Sequence, residues 1–291
     1  MISLAAFRYR NVLAEQGGPI ASIQIADFPV YGRRLFTANA RLTEGLVPHR
    51  QFEVYSNADG TGAHASPMVA RHMAVSEALE RWAFHATVRS PEASRYGFDV
   101  DESSSGMAAY PGWTDAPARR GARLEALERH CLLNWWEGCM DGEPRSTPWP
   151  GISALAFSPE PGAVAVILYT RSAQGFYSYG HAAGDSFDHA CRKALLELAR
   201  HEWVVNCWMV SASGKGPVDC MEQRACYFSG EDGHREFQAR LGRRAWRSRR
   251  TEVVCDREIP GPWSEYATVW RYIIRPPSAR FTSKEPDFFF W

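Results

Sequence analysis

The pentapeptide E-A-L-E-R occurs twice in this chain, at residues 77–81 and again at 125–129. Positions three apart share one face of a helix, so Glu77 stands with Glu80 and Glu125 with Glu128. An arginine, Arg81 or Arg129, follows each pair, and apolar residues surround both copies. A half-buried carboxylate is stable only where a cation or N–H donors meet it. Four such groups on two apolar helices suggest a site for a hard cation, and Mg²⁺ beside nucleotide phosphates is the usual reason to build one. A third helical segment adds Glu197. Either copy alone is ordinary helix vocabulary, because Glu, Ala, Leu and Arg are strong helix formers. The two copies together with the third helix are what point to a site.

Periodicity supplies the elements that must hold these residues. Residues 66–87 are helical, with Val69, Met73, Ser76, Leu79 and Trp82 recurring at helical spacing. A second helix runs from about Ala116 to Trp136 with Pro117 near its first turn, where proline is tolerated. A third covers residues 186–210 and carries Ala190, Ala194, Leu195, Leu198 and Trp203. Residues 20–30, 34–42 and 51–55 read as strands, as do 152–157 and 163–169 around the turn 159–162, and 266–274. Residues 175–180 can extend a sheet, 96–112 read as loop, and the proline-rich stretch 144–150 ends a unit. Glycines precede the three helices: Gly60 and Gly62, Gly112, then Gly180 and Gly184. As turns at helix N-termini they would offer backbone N–H groups to phosphate oxygens.

Composition limits the alternatives. The chain has 291 residues, 45% of them hydrophobic, which suffices for a sizeable core. Lys+Arg and Asp+Glu both number 33, so no bulk charge points to nucleic acid or an anionic membrane. The seven cysteines form no C-x-x-C pair, which fits a reducing compartment. No apolar run approaches the ~18 residues of a membrane span, and the opening residues do not form a signal sequence. The expectation is a cytoplasmic protein with no nucleic-acid or membrane partner.

The three helical segments resemble the signatures of the YcaO family. The first is G-T-G-A-H-A-S-P-M-V-A-R-H-M-A-V-S-E-A-L-E-R-W at 60–82, the second E-A-L-E-R-H-C-L-L-N-W-W at 125–136, and the third Y-G-H-A-A-G-D-S-F-D-H-A-C-R-K-A-L-L-E-L-A at 179–199. Their order and spacing agree with the family, and 226–237 and 269–276 resemble its later segments, so the resemblance covers roughly residues 50–277. It implies an α/β (α+β) fold over residues 1–291 as a single domain, long helices packed on β-sheets, with a carboxylate-rich nucleotide cleft. Members of the family bind ATP and Mg²⁺, and many activate a backbone amide of a peptide. A nucleophile adds to the amide carbonyl, ATP phosphorylates the resulting oxygen, and phosphate leaves. A Cys, Ser or Thr nucleophile gives an azoline, sulfide a thioamide, and an amine a macroamidine. By motif position the resemblance implies that Glu77, Glu80, Glu125, Glu128 and Glu197 bind Mg²⁺-nucleotide in one cleft. It implies that Arg81 and Arg129 hold those carboxylates or phosphate through forked hydrogen bonds.

The sequence departs from the family pattern at Ala74, where serine is frequent, at Pro117, where glutamate is frequent, and at His130 and Arg200 in place of Asp and Gln. Its end, at residues 284–291, is aromatic rather than P-x-P-x-P. These departures weigh on azoline chemistry more than on ATP binding. The resemblance implies a precursor-peptide substrate, a separate leader-peptide-binding, E1-like partner protein, and a homodimer as one allowed assembly. Azoline formation is the first choice. Thioamide formation, activation of a small-molecule amide, and a non-catalytic scaffold subunit are the alternatives. No residue is assigned a proton-transfer role. Trp82, Trp135, Trp136 and Cys131 read as core, His72 and His85 as helix surface, and the arginine-rich run 240–250 as a solvated helix face. Four aromatics at 288–291 would form a sticky patch if exposed, so they are expected to dock.

Overall fold

Two strand–helix pairs in this chain are built on one pattern. Residues two apart on a strand share a face, which puts Gly60 with Gly62, and Gly180 with Gly184. A Cβ at Gly60 would lie 2.2 Å from Ala74 O and 2.3 Å from Ala78 N, and one at Gly62 would lie 2.2 Å from Ala70 O. A Cβ at Gly180 would lie 2.2 Å from Leu198 N and 2.3 Å from Ala194 O, and one at Gly184 would lie 2.7 Å from Ala190 N. The helices answer with small residues four apart, Ala70, Ala74 and Ala78 in one and Ala190 and Ala194 before Leu198 in the other, all fully buried. Helix backbone therefore rests on strand backbone. Gly60, Gly62, Gly180 and Gly184, expected as phosphate-binding turns, are strand residues, and their missing side chains let a helix approach, whereas Gly112 lies in a bend before the helix that begins at Ala116.

The computed structural model describes residues 4–47, 58–98, 103–210, 217, 220–283 and 285–291. In chain order the elements are α1 (Ala5–Arg8), β1 (Ile20–Val30), β2 (Arg33–Leu42), β3 (Gly60–His64), α2 (Pro67–Thr87), β4 (Ser105–Tyr110) and α3 (Ala116–Trp136). They continue with β5 (Glu143–Ser146), β6 (Ser153–Glu160), β7 (Ala163–Arg171), β8 (Tyr177–Gly184), α4 (Phe187–Val210), α5 (Cys220–Ser229), α6 (Glu231–Leu241), β9 (Glu252–Glu258), β10 (Thr268–Arg275) and α7 (Ala279–Thr282). The pairs β1–β2, β2–β3, β4–β10, β5–β6, β6–β7 and β7–β8 are antiparallel, and the fold is α+β. Among the described residues no helix is long and apolar enough to cross a membrane.

The chain divides into two compact units: Met1–Arg123 with Val253–Ile273, and Leu124–Glu252 with Ile274–Trp291. The first holds the sheet β1-β2-β3 and the sheet β4-β10-β9. Tyr31 and Gly32, with φ of 42° and 78°, close the β1–β2 hairpin, so Val30 pairs with Arg33. Two positive φ values suit the two-residue turn whose twist matches its strands. On β2, Ala38, Ala40 and Leu42 alternate into a core shared with Val75 and Leu79 of α2 and with Trp263 and Val269. The second unit holds the sheet β5-β6-β7-β8 with α4 against β7 and β8. Its core is strongly aromatic: Phe289 lies 4.9–5.9 Å, ring to ring, from Trp135, Trp136, Tyr179, Phe228 and Phe237. The docking expected of the terminal aromatics is thus met by Phe288, Phe289 and Phe290, which are buried within this unit.

Three local expectations are corrected. Within 96–112, residues 105–110 form strand β4, paired along β10 from Tyr110↔Thr268 to Ser105↔Ile273. The proline-rich break contains β5, where Pro144 sits opposite Leu155 at the outer edge of its sheet, a place that tolerates proline. The arginine-rich run is not a helix face: α6 ends at Leu241, and the N–H groups of Trp246 and Arg247 bond to Gly138 O instead. Within that run Arg240 is buried and donates to the carbonyls of Trp135, Arg243 and Met140. The strand expected at 51–55 lies outside the described residues.

The close strand–helix contact is testable. Gly180→Ala should lower unfolding free energy by about 1–3 kcal/mol, because backbone rather than a movable side chain blocks the new methyl. Gly242→Ala, at φ −76° with no neighbour closer than 3.8 Å, should change stability little. Urea unfolding of the two variants side by side would check this.

Candidate functional site

Helix α2 enters through Ser66 and Pro67, with proline in the first turn where its missing N–H is harmless. One face of the helix is fixed on β3 by the alanine row, which sets where its carboxylates reach. Glu77 reaches β3, an outer strand of its sheet, and accepts the Thr61 N–H at 3.1 Å and the Thr61 hydroxyl at 3.0 Å through one oxygen. Glu80, one turn on, is half-buried, and Arg81 is exposed. Trp82 is half-buried with its ring edge-on to Trp263 at 5.6 Å. His85 lies on the same helix, and burial, aided by Arg81 and Arg89, lowers its pKa.

In the second unit the residue equivalent in use to Glu77 is Glu128. One of its oxygens lies 2.8 Å from His181 Nδ1 and the other accepts the Ala183 N–H at 2.9 Å. An ionised carboxylate only accepts, so Nδ1 of His181 carries the proton. Both His181 and Ala183 are on β8, the outer strand of its sheet. Lys193 of α4 donates to the Ala183 carbonyl at 2.9 Å, so the outward N–H and C=O of one strand residue are both taken by charged side chains. Burial is the largest influence on Glu128 and would raise its pKa. The His181 hydrogen bond and the charges of His181, Lys193 and Arg129 together outweigh it and hold the carboxyl below the usual range.

The remaining expected residues pair locally. Arg129 binds Glu125 one turn back at 2.8 Å. Arg200 binds the exposed Glu197 at 2.9 Å, so the residue that departs from the family pattern serves a signature glutamate. Two histidines nearby are held neutral. Burial, with Arg249 close, pushes His130 down to about 4, and Asn134 donates its amide N–H to the His130 carbonyl at 2.8 Å. Burial, with His181 close, pushes His201 down to about 3. The Tyr179 N–H donates to His201 Nδ1 at 3.3 Å, which leaves the proton on Nε2, and the ring stacks on Trp291 at 5.1 Å between centroids.

The carboxylates are hard oxygen donors of the type Mg²⁺ takes. In this structure Glu77, Glu125, Glu128 and Glu197 are each held by protein partners. Among the described residues no three His, Cys, Asp or Glu side chains are grouped around one point as metal ligands. The donor chemistry of these side chains is that of a hard-cation site. Thr61, His181 and Lys193 were missed from the sequence although each lies inside a signature segment. Their signal was placement on a strand, or one turn before a signature glutamate.

No family model matches the chain, and no curated protein matches it. Among solved structures it is similar to a YcaO from Methanopyrus kandleri bound with AMPPCP and Mg²⁺. That likeness has a TM-score of 0.43 and 14% sequence identity, and it covers 73% of this chain and 69% of the other.

The Glu128 environment sets a pH dependence. A carboxyl held below its unfolded pKa contributes stability that is present above the unfolded value and is lost as pH falls through the folded one. Glu128→Gln should therefore be less stable than the parent by about 1–3 kcal/mol at neutral pH, where the buried partners lose a charged acceptor. The gap should persist down to the ordinary carboxylate value of about 4.3 and close below it. Urea titrations of both proteins across that range would check this, and a gap independent of pH would contradict it.

Proposed function

We propose that the chain uses ATP and Mg²⁺ to activate a backbone amide of a ribosomally made precursor peptide, as its resemblance to YcaO proteins implies. In this reading a Cys, Ser or Thr side chain is the nucleophile and an azoline the product. Thioamide formation by added sulfide would use the same activation. A separate leader-peptide-binding, E1-like protein would deliver the peptide. The observation that carries the reading is the order of three signature segments, on α2, α3 and α4, with their glutamates retained: Glu77 and Glu80, Glu125 and Glu128, and Glu197. These would be the residues that hold Mg²⁺-nucleotide, with Arg81 and Arg129 beside them.

One specific observation favours a second reading, a scaffold subunit without catalysis. Both oxygens of Glu128 and one of Glu77 already accept hydrogen bonds from strand neighbours. Carboxylates spent on holding strands need no ion to justify their burial.

Ligand-dependent melting separates the two. A ligand at about 100 times its dissociation constant adds about 2.7 kcal/mol to unfolding free energy. Mg-ATP should raise the melting temperature clearly, with little rise from Mg²⁺ or ATP alone. No rise at millimolar Mg-ATP would favour the scaffold. Phosphate release with precursor peptide and partner then tests one residue. Glu80→Gln should cut it about tenfold or more while the fold survives. Unchanged release would remove Glu80 from the site.

A further inference from the structure

The first unit contains a cleft of about 370 Å³ that shares no residue with the signature segments. It lies between the N-terminal helix α1 with the residues just after it, the turn after β4, and the turn before β10. Arg8 braces its walls by donating to the carbonyls of Ser264 and Gly112. Three features of the remaining lining bear on what it takes. Two large aromatic side chains, Phe7 and Trp113, stand 58% and 78% exposed, so much of their apolar surface faces water. Arg10 sets its guanidinium over the Phe7 ring at 4.8 Å, and its side chain has no hydrogen bond or ion pair among the described residues. Glu265 also lines the cleft, and likewise its side chain has no hydrogen bond or ion pair among them.

Opposite charges that share a small cleft without pairing select against simple ions. Glu265 repels an anion that Arg10 would attract, and the two arginines repel a cation that Glu265 would attract. A ligand carrying both charges satisfies both groups. The exposed rings add a demand for a flat apolar face. The volume lies near the small end of ordinary small-molecule sites, about 300–1,000 Å³, which favours a single compact molecule. We propose that this cleft binds a free aromatic α-amino acid as its zwitterion. The carboxylate is held by Arg10, the ammonium by Glu265, and the ring by Phe7 and Trp113. The site is independent of the nucleotide reading and stands or falls separately from it.

Calorimetric titration of the intact chain with four probes tests this. L-Phenylalanine carries all three features, 3-phenylpropionate lacks the ammonium, phenethylamine lacks the carboxylate, and L-alanine lacks the ring. Saturation-transfer NMR reads the same ranking where binding heat is small. L-Phenylalanine should bind saturably, and each truncated probe should bind at least about tenfold more weakly. Glu265→Gln should abolish the preference for phenylalanine over 3-phenylpropionate, and Arg10→Gln the preference over phenethylamine. Each variant removes a charge that makes no hydrogen bond among the described residues, and its melting curve confirms that it is folded. Absence of phenylalanine binding up to about 10 mM, equal binding of the three aromatic probes, or preferences unchanged in both variants would overturn the proposal.

Discussion

Backbone laid on backbone is the constraint from which the rest of this structure follows. On β3 and β8 the face toward the helix carries glycine, and on α2 and α4 the face toward the strand carries alanine. Side chains of ordinary size would hold the helix away from the sheet. In the first unit the close seat brings Glu77 within reach of the Thr61 N–H. In the second it brings Lys193 to the Ala183 carbonyl, opposite the N–H that Glu128 takes. The placement of charged groups is thus a consequence of two small-residue rows. A single methyl added to either row would displace the polar contacts along with the packing.

Helices were the legible part of this sequence. Their apolar spacing sustains the pattern over five or more turns, and α2, α3 and α4 begin within one residue of where periodicity puts them. Strands β1 and β2 were legible too, and on β2 Ala38, Ala40 and Leu42 are buried with less buried residues between them. Strands β3, β4 and β5 were not. Gly60 and Gly62 look like a turn because glycine's freedom dominates its local preference, whereas their use here is the space they leave. Pro144 and Pro148 look like a break, and only the outer position of β5 makes Pro144 acceptable in a strand. In the site, spacing put Glu125 and Glu128 on one side of a helix but not their different uses. That Glu125 turns to Arg129 while Glu128 turns to β8 depends on which strand lies alongside, and periodicity carries no information on that.

A neutral chain conceals how charge is used inside. Among the described residues three arginines are buried, and each guanidinium lies against two aromatic rings. Arg224 is 5.1 and 5.2 Å from the Phe281 and Phe288 rings. Arg240 is 5.2 and 5.0 Å from those of Trp135 and Trp246, and Arg271 is 5.5 and 5.8 Å from those of Phe84 and Phe98. Their N–H groups go to carbonyls and a hydroxyl: Arg224 to Phe281, Glu285 and Phe290, Arg240 to Trp135, Met140 and Arg243, and Arg271 to Ser105. A planar, weakly hydrated cation suits such a slot, and lysine would not replace it. In each case the arginine ties together segments distant in sequence, which apolar packing alone would fix less specifically.

The partition of the chain has a consequence for how the protein is made. Each unit is assembled from two stretches, and the later stretch of the first, Val253–Ile273, precedes the later stretch of the second. Strand β10 fills the middle of the sheet β4-β10-β9, and Phe289 fills the middle of the aromatic core. During synthesis on the ribosome, then, the nascent first unit waits with an open sheet while more than a hundred intervening residues emerge. The second waits longer still for its central ring. Both would close late and almost together, and a chaperone that shields exposed strands and rings would have its longest task in that interval.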